Sequence, residues 1–282
     1  MLSSIKIIIK KAVIKLTAIF SNTKLGKIIN EQIIVDVMSQ EKKAIHNGYE
    51  MSFCVPNQLN HFRIDTFSEK EPETLEWIDT FPNNSILWDV GANIGLYSIY
   101  AAASKNCNVV AFEPSVFNLE LLARNISLNN LQDKITIFPL ALSNKLNANR
   151  MRLTTVEWGG ALSSFGEKIG WDGKQINDIF SYSTYGCSLD QGNIIFNLQK
   201  PDFIKMDVDG IEHIILEGGQ NILKSIKGIL IEINDDFVEQ SNKSKFYLEN
   251  AGLVLDKKLH AEMFENSNSG FANTYNQIWI RK

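Results

Sequence analysis

The stretch Leu87-Trp88-Asp89-Val90-Gly91-Ala92-Asn93-Ile94-Gly95-Leu96 decides how this 282-residue chain is read. An apolar run ends in an acidic residue, turns through two glycines and resumes as an apolar segment. That is the outline of a buried strand feeding a helix, and in open α/β sheets a ligand sits beyond the carboxyl ends of the strands. Gly91 can take a positive φ and leave the backbone open to a close-lying ligand, and Gly95 would let the helix start pack against the strand. Glu113 ends the next apolar run, about 20 residues on, where a carboxylate can accept from both hydroxyls of a ribose.

The glycine spacing separates two kinds of ligand. A dinucleotide turn reads G-x-G-x-x-G and brings a pyrophosphate to a helix N-terminus. Here the spacing is G-x-x-x-G with an aspartate before it. An acidic turn suits a cation, and S-adenosylmethionine carries an ammonium and a sulfonium but no phosphate. The cofactor-binding candidates are therefore Asp89, Gly91, Asn93, Gly95, Glu113, Pro114 and Ala141.

Outward from this turn, short apolar runs alternate with helical periods. Strands are expected at Ile86–Val90, Asn108–Phe112, Ile135–Phe138, Phe203–Met206 and Gly228–Ile233, with Ser115 as an N-cap and a helix over Ile211–Ile226. Such alternation implies parallel βαβ units with right-handed crossovers. Leu253–Asp256 and Gln277–Ile280 follow as an antiparallel pair closing one edge. The expected fold is thus α/β, a Rossmann-like, mostly parallel sheet with an antiparallel edge pair and an N-terminal helical extension. Residues 150–200, rich in Gly, Ser, Tyr and Trp, read as an insertion over the site. Upstream, Glu73–Phe81 reads as a short helix and residues 48–70 as a hairpin or loop around Pro56. The division is a basic helix and cap over 1–70 and a catalytic domain over 71–282.

Phe203-Ile204-Lys205-Met206-Asp207-Val208-Asp209-Gly210-Ile211-Glu212-His213 is the second signal. Three carboxylates cluster at the end of a buried strand, on the rim that carries the glycine turn. Such a cluster can bind a hard cation such as Mg²⁺, hold one member protonated as an acid or base, or cap a helix. Asp207, Asp209 and Glu212 are the catalytic candidates, with Lys205 orienting them and His213 as a further base. Asp207, Asp209 and Glu232 are the metal candidates, and Asn234 would face the same cleft. His61 and His260 have no position fixed by sequence.

The bulk numbers bound the class. Hydrophobic residues make up 44% and charged residues 21%, which suits one large globular core with a smaller appendage. A net charge of −4 argues against a dedicated nucleic-acid binder. Charge is uneven, however: Lys6, Lys10, Lys11, Lys15, Lys24 and Lys27 precede the first acid, Glu31. The remainder carries 22 basic (28 less 6) against 32 acidic residues, a net of −10. Within residues 5–20, Ile8, Val13, Leu16 and Ile19 fall at helical spacings between these lysines. That helix would rest on an anionic membrane surface, or dock on its own domain or a partner. Cys54, Cys107 and Cys187 form no C-x-x-C pair and read as reduced thiols. No signal peptide or transmembrane run stands out, so the expected place is the cytoplasm, with the inner face of the membrane open through the basic helix.

These segments together resemble the FkbM family of S-adenosylmethionine-dependent methyltransferases. The resemblance is carried by WDVGANIGLYS, VVAFEPS with LLARNISLNN, IKMDVDGIEHIILEGG and GILIEIN, over residues 86–141 and 202–234, and by the terminal TYNQIWI. Where the family usually reads D-V-E-G-A-E, this chain has Asp209, the same charge one methylene shorter. Trp158-Gly159-Gly160-Ala161-Leu162-Ser163-Ser164 resembles the family's Gly/Ser-rich patch. The resemblance implies O-methylation of a hydroxyl on a sugar, polysaccharide precursor or related metabolite. N-methylation of a small molecule, a non-catalytic S-adenosylmethionine- or glycan-binding scaffold, and a nicotinamide-dependent oxidoreductase remain as alternatives.

Overall fold

The computed structural model describes residues 2–260 and 272–282, with side chains from Ile9 onward. The polar stretch expected between the last two strands lies mostly outside these residues. The chain opens with two helices, α1 (Leu2–Ser21) and α2 (Lys24–Met38), and a hairpin of β1 (Glu41–His46) and β2 (Tyr49–Cys54). Asn47 and Gly48 make its turn, both at positive φ, as a two-residue hairpin turn of matching twist requires. The hairpin therefore precedes the stretch around Pro56 where the sequence reading places it. Short helices follow: α3 (Gln58–Asp65), capped by the Asn57 side chain, α4 (Phe67–Lys70), and α5 (Pro72–Asp79), with proline in its first turn.

The alternation then begins: β3 (Ile86–Val90), α6 (Leu96–Lys105), β4 (Asn108–Phe112), α7 (Val116–Leu128) and β5 (Ile135–Phe138). The chain crosses into β6 (Ala141–Leu142), β7 (Asn147–Leu153), β8 (Ser164–Phe165), β9 (Phe180–Cys187) and α8 (Leu189–Ile195). It returns as β10 (Phe203–Met206), α9 (Glu212–Glu217), α10 (Gln220–Leu223), β11 (Gly228–Asn234), α11 (Val238–Asn250), β12 (Leu253–Leu259) and β13 (Thr274–Arg281). Among the described residues the central sheet has seven strands in the order β12-β13-β11-β10-β3-β4-β5. From β11 to β5 all pairings are parallel; β13 runs antiparallel between β11 and β12. The Rossmann-like sheet with its antiparallel edge pair is as expected.

Parallel strands covered on both faces read as unbroken apolar runs, and these do. Leu87 and Leu230 face a core layer shared with Phe53, Ile78, Ile99 and Leu121. Trp88, Met206 and Ile231 face the opposite layer with Ile215 and Leu248. The hairpin thus belongs to the core of the sheet. Its β2 edge is tied to α7: the Cys54 N–H donates to Asn125 Oδ1 at 2.8 Å, and the Ser52 N–H to Asn129 Oδ1 at 2.9 Å.

Two local expectations differ from the structure. Ser115 precedes α7 but its hydroxyl makes no cap; its backbone N–H donates instead to Glu113. The helix expected over 211–226 breaks at Gly218-Gly219, where a Cβ would stand 2.6 Å from Ser188 Cβ and 2.5 Å from Leu189 Cδ1. The insertion expected over residues 150–200 belongs to a second, four-stranded sheet of β6, β9, β7 and β8 among the described residues.

Asn125 also donates to the Ile94 carbonyl at 2.8 Å, so one buried side chain bridges the hairpin and the cofactor turn. Asn125→Ala leaves a buried N–H and a buried carbonyl without partners and should lower the unfolding free energy by about 2–4 kcal/mol. Urea denaturation measures this; a loss below about 0.5 kcal/mol would mean the bridge is not what holds the hairpin.

Candidate active site

The chain runs outward from β3 to β5, then returns to pair β10 on the other side of β3. The ends of β3, β4 and β10 therefore diverge at a topological switch point, where such sheets open a ligand crevice. The crevice here has two lobes, of about 310 and about 70 Å³. Gly91, Asn93, Ala161, Asp207 and Asp209 line both, so the lobes meet at the turn after β3.

Gly91 holds φ +85°, and a Cβ there would stand 1.9 Å from the Asp207 carbonyl oxygen. Its missing side chain thus lets the loop after β10 close on the turn. Gly95, at φ +89°, makes room for Leu122 of α7, 2.6 Å from where its Cβ would be. Asn93 is also left-handed, a conformation its short polar side chain tolerates. Its N–H donates to Glu113 Oε2 at 2.8 Å, and its Nδ2 to the Gly160 carbonyl at 2.8 Å. Its Oδ1 is buried and has no hydrogen-bond partner among the described residues.

Glu113, Pro114 and Ala141 line the smaller lobe, among the apolar walls of Phe112, Leu140 and Met151. Burial pushes the Glu113 carboxyl up to about 7, against the N–H groups of Ser115 and Asn93 that favour its charge. Asp89 does not reach either lobe. It is buried beneath the turn, accepts the Ser98 hydroxyl at 2.6 Å, and is raised by burial, with Lys205 opposing.

The larger lobe gathers most of the crevice's charged side chains. Lys205 Nζ bonds Asp207 Oδ2 at 3.0 Å and lies 5.2 Å from the centre of the Tyr97 ring. Burial would lower the Lys205 ammonium, but Asp207, Asp89 and Glu71 outweigh it and hold it above its ordinary range. Burial likewise raises Glu71, and Lys70 and Lys205 overcome it, bringing that carboxyl down to about 2. Glu232 lines the same lobe and is pushed well up, first by burial and then by the charges of Asp207 and Glu71. Arg63, Glu71, Tyr97 and His260 all line this lobe, and the sequence reading assigned none of them.

The Gly/Ser-rich patch lies over the crevice and is fixed from three sides. Asn57 and Asn60 donate to the Trp158 carbonyl, and Arg63 donates to Gly159 through both Nε and Nη2. The Gly159 N–H donates to Asn118 Oδ1 at 3.1 Å. The N–H groups of Leu162 and Ser163 donate to Asp209 Oδ2 at 2.7 and 3.2 Å. Burial and the neighbouring Asp207 raise the Asp209 carboxyl to about 6, against those two donors.

Glu212 and His213, expected as catalytic groups, do not line the crevice. Asp209 and Gly210 both sit at positive φ, and the turn they make sends Glu212 inward. There it accepts from the Val208 and Gly210 N–H groups and from Gln240, a brace for the loop rather than a group facing substrate. His213 is buried edge-on against Phe237. The expected Mg²⁺ site is also corrected: among the described residues no three His, Cys, Asp or Glu side chains converge as metal ligands. Asp207 is taken by Lys205 and one oxygen of Asp209 by the patch above it.

The family described as Methyltransferase FkbM domain matches residues 89–266. A hexuronic acid methyltransferase, AglP of Haloferax volcanii, is 26% identical over 192 residues, covering 67% of this chain and 72% of that protein. The methyltransferase sdnD of Sordaria araneosa is 27% identical over 172 residues, covering half of this chain and 62% of its own length. Among solved structures, an FkbM methyltransferase from Methylobacillus flagellatus superposes with a TM-score of 0.50 at 14% identity. That superposition spans 79% of this chain and 52% of the other, and speaks for the fold alone.

Glu113 and Glu212, each raised to about 7 from an ordinary 4.5, bind protons more tightly folded than unfolded. Their contribution is fully present below the unfolded value and is lost as pH climbs through the folded one. The ligand-free protein should therefore lose on the order of 3 kcal/mol per group as pH rises from about 4.5 to about 7.5. Glu113→Gln should flatten that slope in a pH series of denaturation midpoints; an unchanged slope would show that Glu113 does not titrate there.

Proposed function

The chain belongs to the FkbM methyltransferase family, and we propose that it moves the methyl group of S-adenosylmethionine to a hydroxyl of a sugar, polysaccharide precursor or related metabolite. The observation that carries this reading is the joining of two unlike lobes at the turn after β3. The smaller is lined mostly by apolar residues around a buried carboxylate; the larger gathers most of the charged side chains.

The residues present fit that cofactor. The buried, unpartnered Asn93 Oδ1 is an acceptor suited to an ammonium. Glu113 uses one lone pair of each oxygen on backbone N–H groups, leaving acceptor capacity for ribose hydroxyls. Phe112, Pro114, Leu140 and Met151 offer flat apolar contact to a purine. When bound, S-adenosylmethionine supplies an activated methyl group on a sulfonium.

The chain supplies alignment and a proton acceptor. Holding two reactants in line is worth as much as ~7–11 kcal/mol of barrier, and the segment pinned by Arg63, Asn118 and Asp209 lies over the junction where they would meet. A hydroxyl is a weak nucleophile at neutral pH and needs its proton taken. Asp209 lines both lobes, keeps Oδ1 clear of the overlying N–H groups, and is pushed up to about 6 by burial and by Asp207. Lys205 holds Asp207 beside it. Arg63, Tyr97, Asn276 and Glu232 offer donors and acceptors to a polyhydroxylated acceptor. A sugar acceptor is also what the name of the Haloferax relative supports.

The test is transfer of isotope-labelled methyl from S-adenosylmethionine to a panel of nucleotide sugars and free sugars, with the product's methyl resolved by NMR. An O-methyl signal is the expected result; an N-methyl signal, or no turnover with any hydroxylated acceptor, would overturn the acceptor assignment. With an acceptor in hand, kcat/KM should rise with pH through a limb near 6, following Asp209. Asp209→Asn keeps an oxygen for the overlying N–H groups and should lose that limb and about 10²–10⁴ in kcat. A variant with wild-type turnover would remove Asp209 from the chemistry.

A further inference from the structure

Every residue from Ile9 to Phe20 is exposed. This segment of α1 carries large apolar side chains, among them Leu16 at 67% and Ile19 at 61% exposure. Among the described residues no buried hydrophobic side chain precedes Ala44, so the docking of this helix on its own domain is not what the structure has. α1 packs on α2 instead, as a built pair. Thr23 caps α2 by accepting from the Gly26 N–H, and Gly26 lies so close to the end of α1 that a Cβ would stand 1.9 Å from the Phe20 carbonyl oxygen.

The exposed face is ordered. Ile9, Val13, Leu16 and Phe20 recur at i, i+4, i+7 and i+11, with Ala12 and Ile19 beside them, and form one apolar stripe. Lys10, Lys11, Lys15 and Thr17 lie outside it, with Ile14 and Ala18 between them. α2 adds Lys24 and Lys27, and no acidic residue precedes Glu31, whereas the rest of the chain is net acidic.

We propose that the α1–α2 pair docks this protein on the surface of a bilayer containing anionic phospholipid. The apolar stripe lies at the boundary of the acyl chains and the lysines reach the headgroups. Charge selects this occupant. A second copy would bring the same lysines together with no carboxylate to meet them before Glu31, whereas anionic headgroups complement them. The acidic body is repelled by the same surface, so the pair is the part turned toward it. No described helix is long and apolar enough to cross a membrane, so α1 rests on the bilayer rather than spanning it.

The test is co-sedimentation of the full-length protein with vesicles of phosphatidylglycerol and phosphatidylcholine, beside vesicles of phosphatidylcholine alone. The protein should pellet with the anionic vesicles, stay in solution with the zwitterionic ones, and be released as salt rises from about 0.1 to about 0.5 M. Replacing Lys10, Lys11 and Lys15 by Gln should lower the partition coefficient on the order of 100-fold, and Leu16→Glu should abolish binding. Both variants touch no core residue and should keep the wild-type melting temperature, which confirms that they are folded. Wild-type protein left in solution with anionic vesicles, or bound equally to both kinds, would overturn the proposal. So would a dimer in light scattering that Leu16→Glu dissociates while no vesicle binding is seen; that result assigns the face to a second copy.

Discussion

A lysine ammonium buried at the centre of a parallel sheet is costly unless carboxylates surround it, and Lys205 is in that position. It faces Asp89 across the β10–β3 pairing, bonds Asp207 at the end of its own strand, and feels Glu71 from the start of α5. Three parts of the chain far apart in sequence are thereby fixed about one charge. The glycine turn is held from below through Asp89, the acidic loop through Asp207, and the N-terminal helices through Glu71. Removing the ammonium would leave three buried or half-buried carboxylates facing one another, which is why the crevice depends on it.

Around that charge the crevice is closed by backbone rather than by bulk. The carbonyls of Trp158, Gly159 and Gly160 accept from α3, from the turn after β3 and from α7. The Leu162 and Ser163 N–H groups reach Asp209, a carboxylate that also lines both lobes. Asp209 therefore has two duties, holding the overlying segment with one oxygen and presenting the other to the junction. Its left-handed backbone makes both possible, and the next residue, a glycine at φ +118°, lets the chain turn away at once.

The sheet was legible because strands buried on both faces leave continuous apolar runs; β3, β4, β5 and β10 fall where those runs predict. The glycine turn, Glu113 and the acidic loop were legible because each sits at the end of such a run. The N-terminal hairpin carried a clear signal in Asn47-Gly48, but its strands, with Glu41, Lys42 and Lys43 on one side, lack a clean alternation. Arg63, Glu71 and Tyr97 gave no local sign, since only the tertiary fold brings them to Lys205. Glu212 and His213 misled for the opposite reason. They neighbour Asp209 in sequence, but the positive φ values of Asp209 and Gly210 turn them into the core.

On the proposed reading, the junction at Gly91, Asn93 and Glu113 holds S-adenosylmethionine. Isothermal titration of the full-length protein with S-adenosylhomocysteine, beside a folded Glu113→Ala variant, tests it most directly. Saturable one-site binding by the wild type, lost or only weakly retained by the variant, is the expected result. A folded wild-type protein that binds none, or a variant that binds equally well, would contradict it.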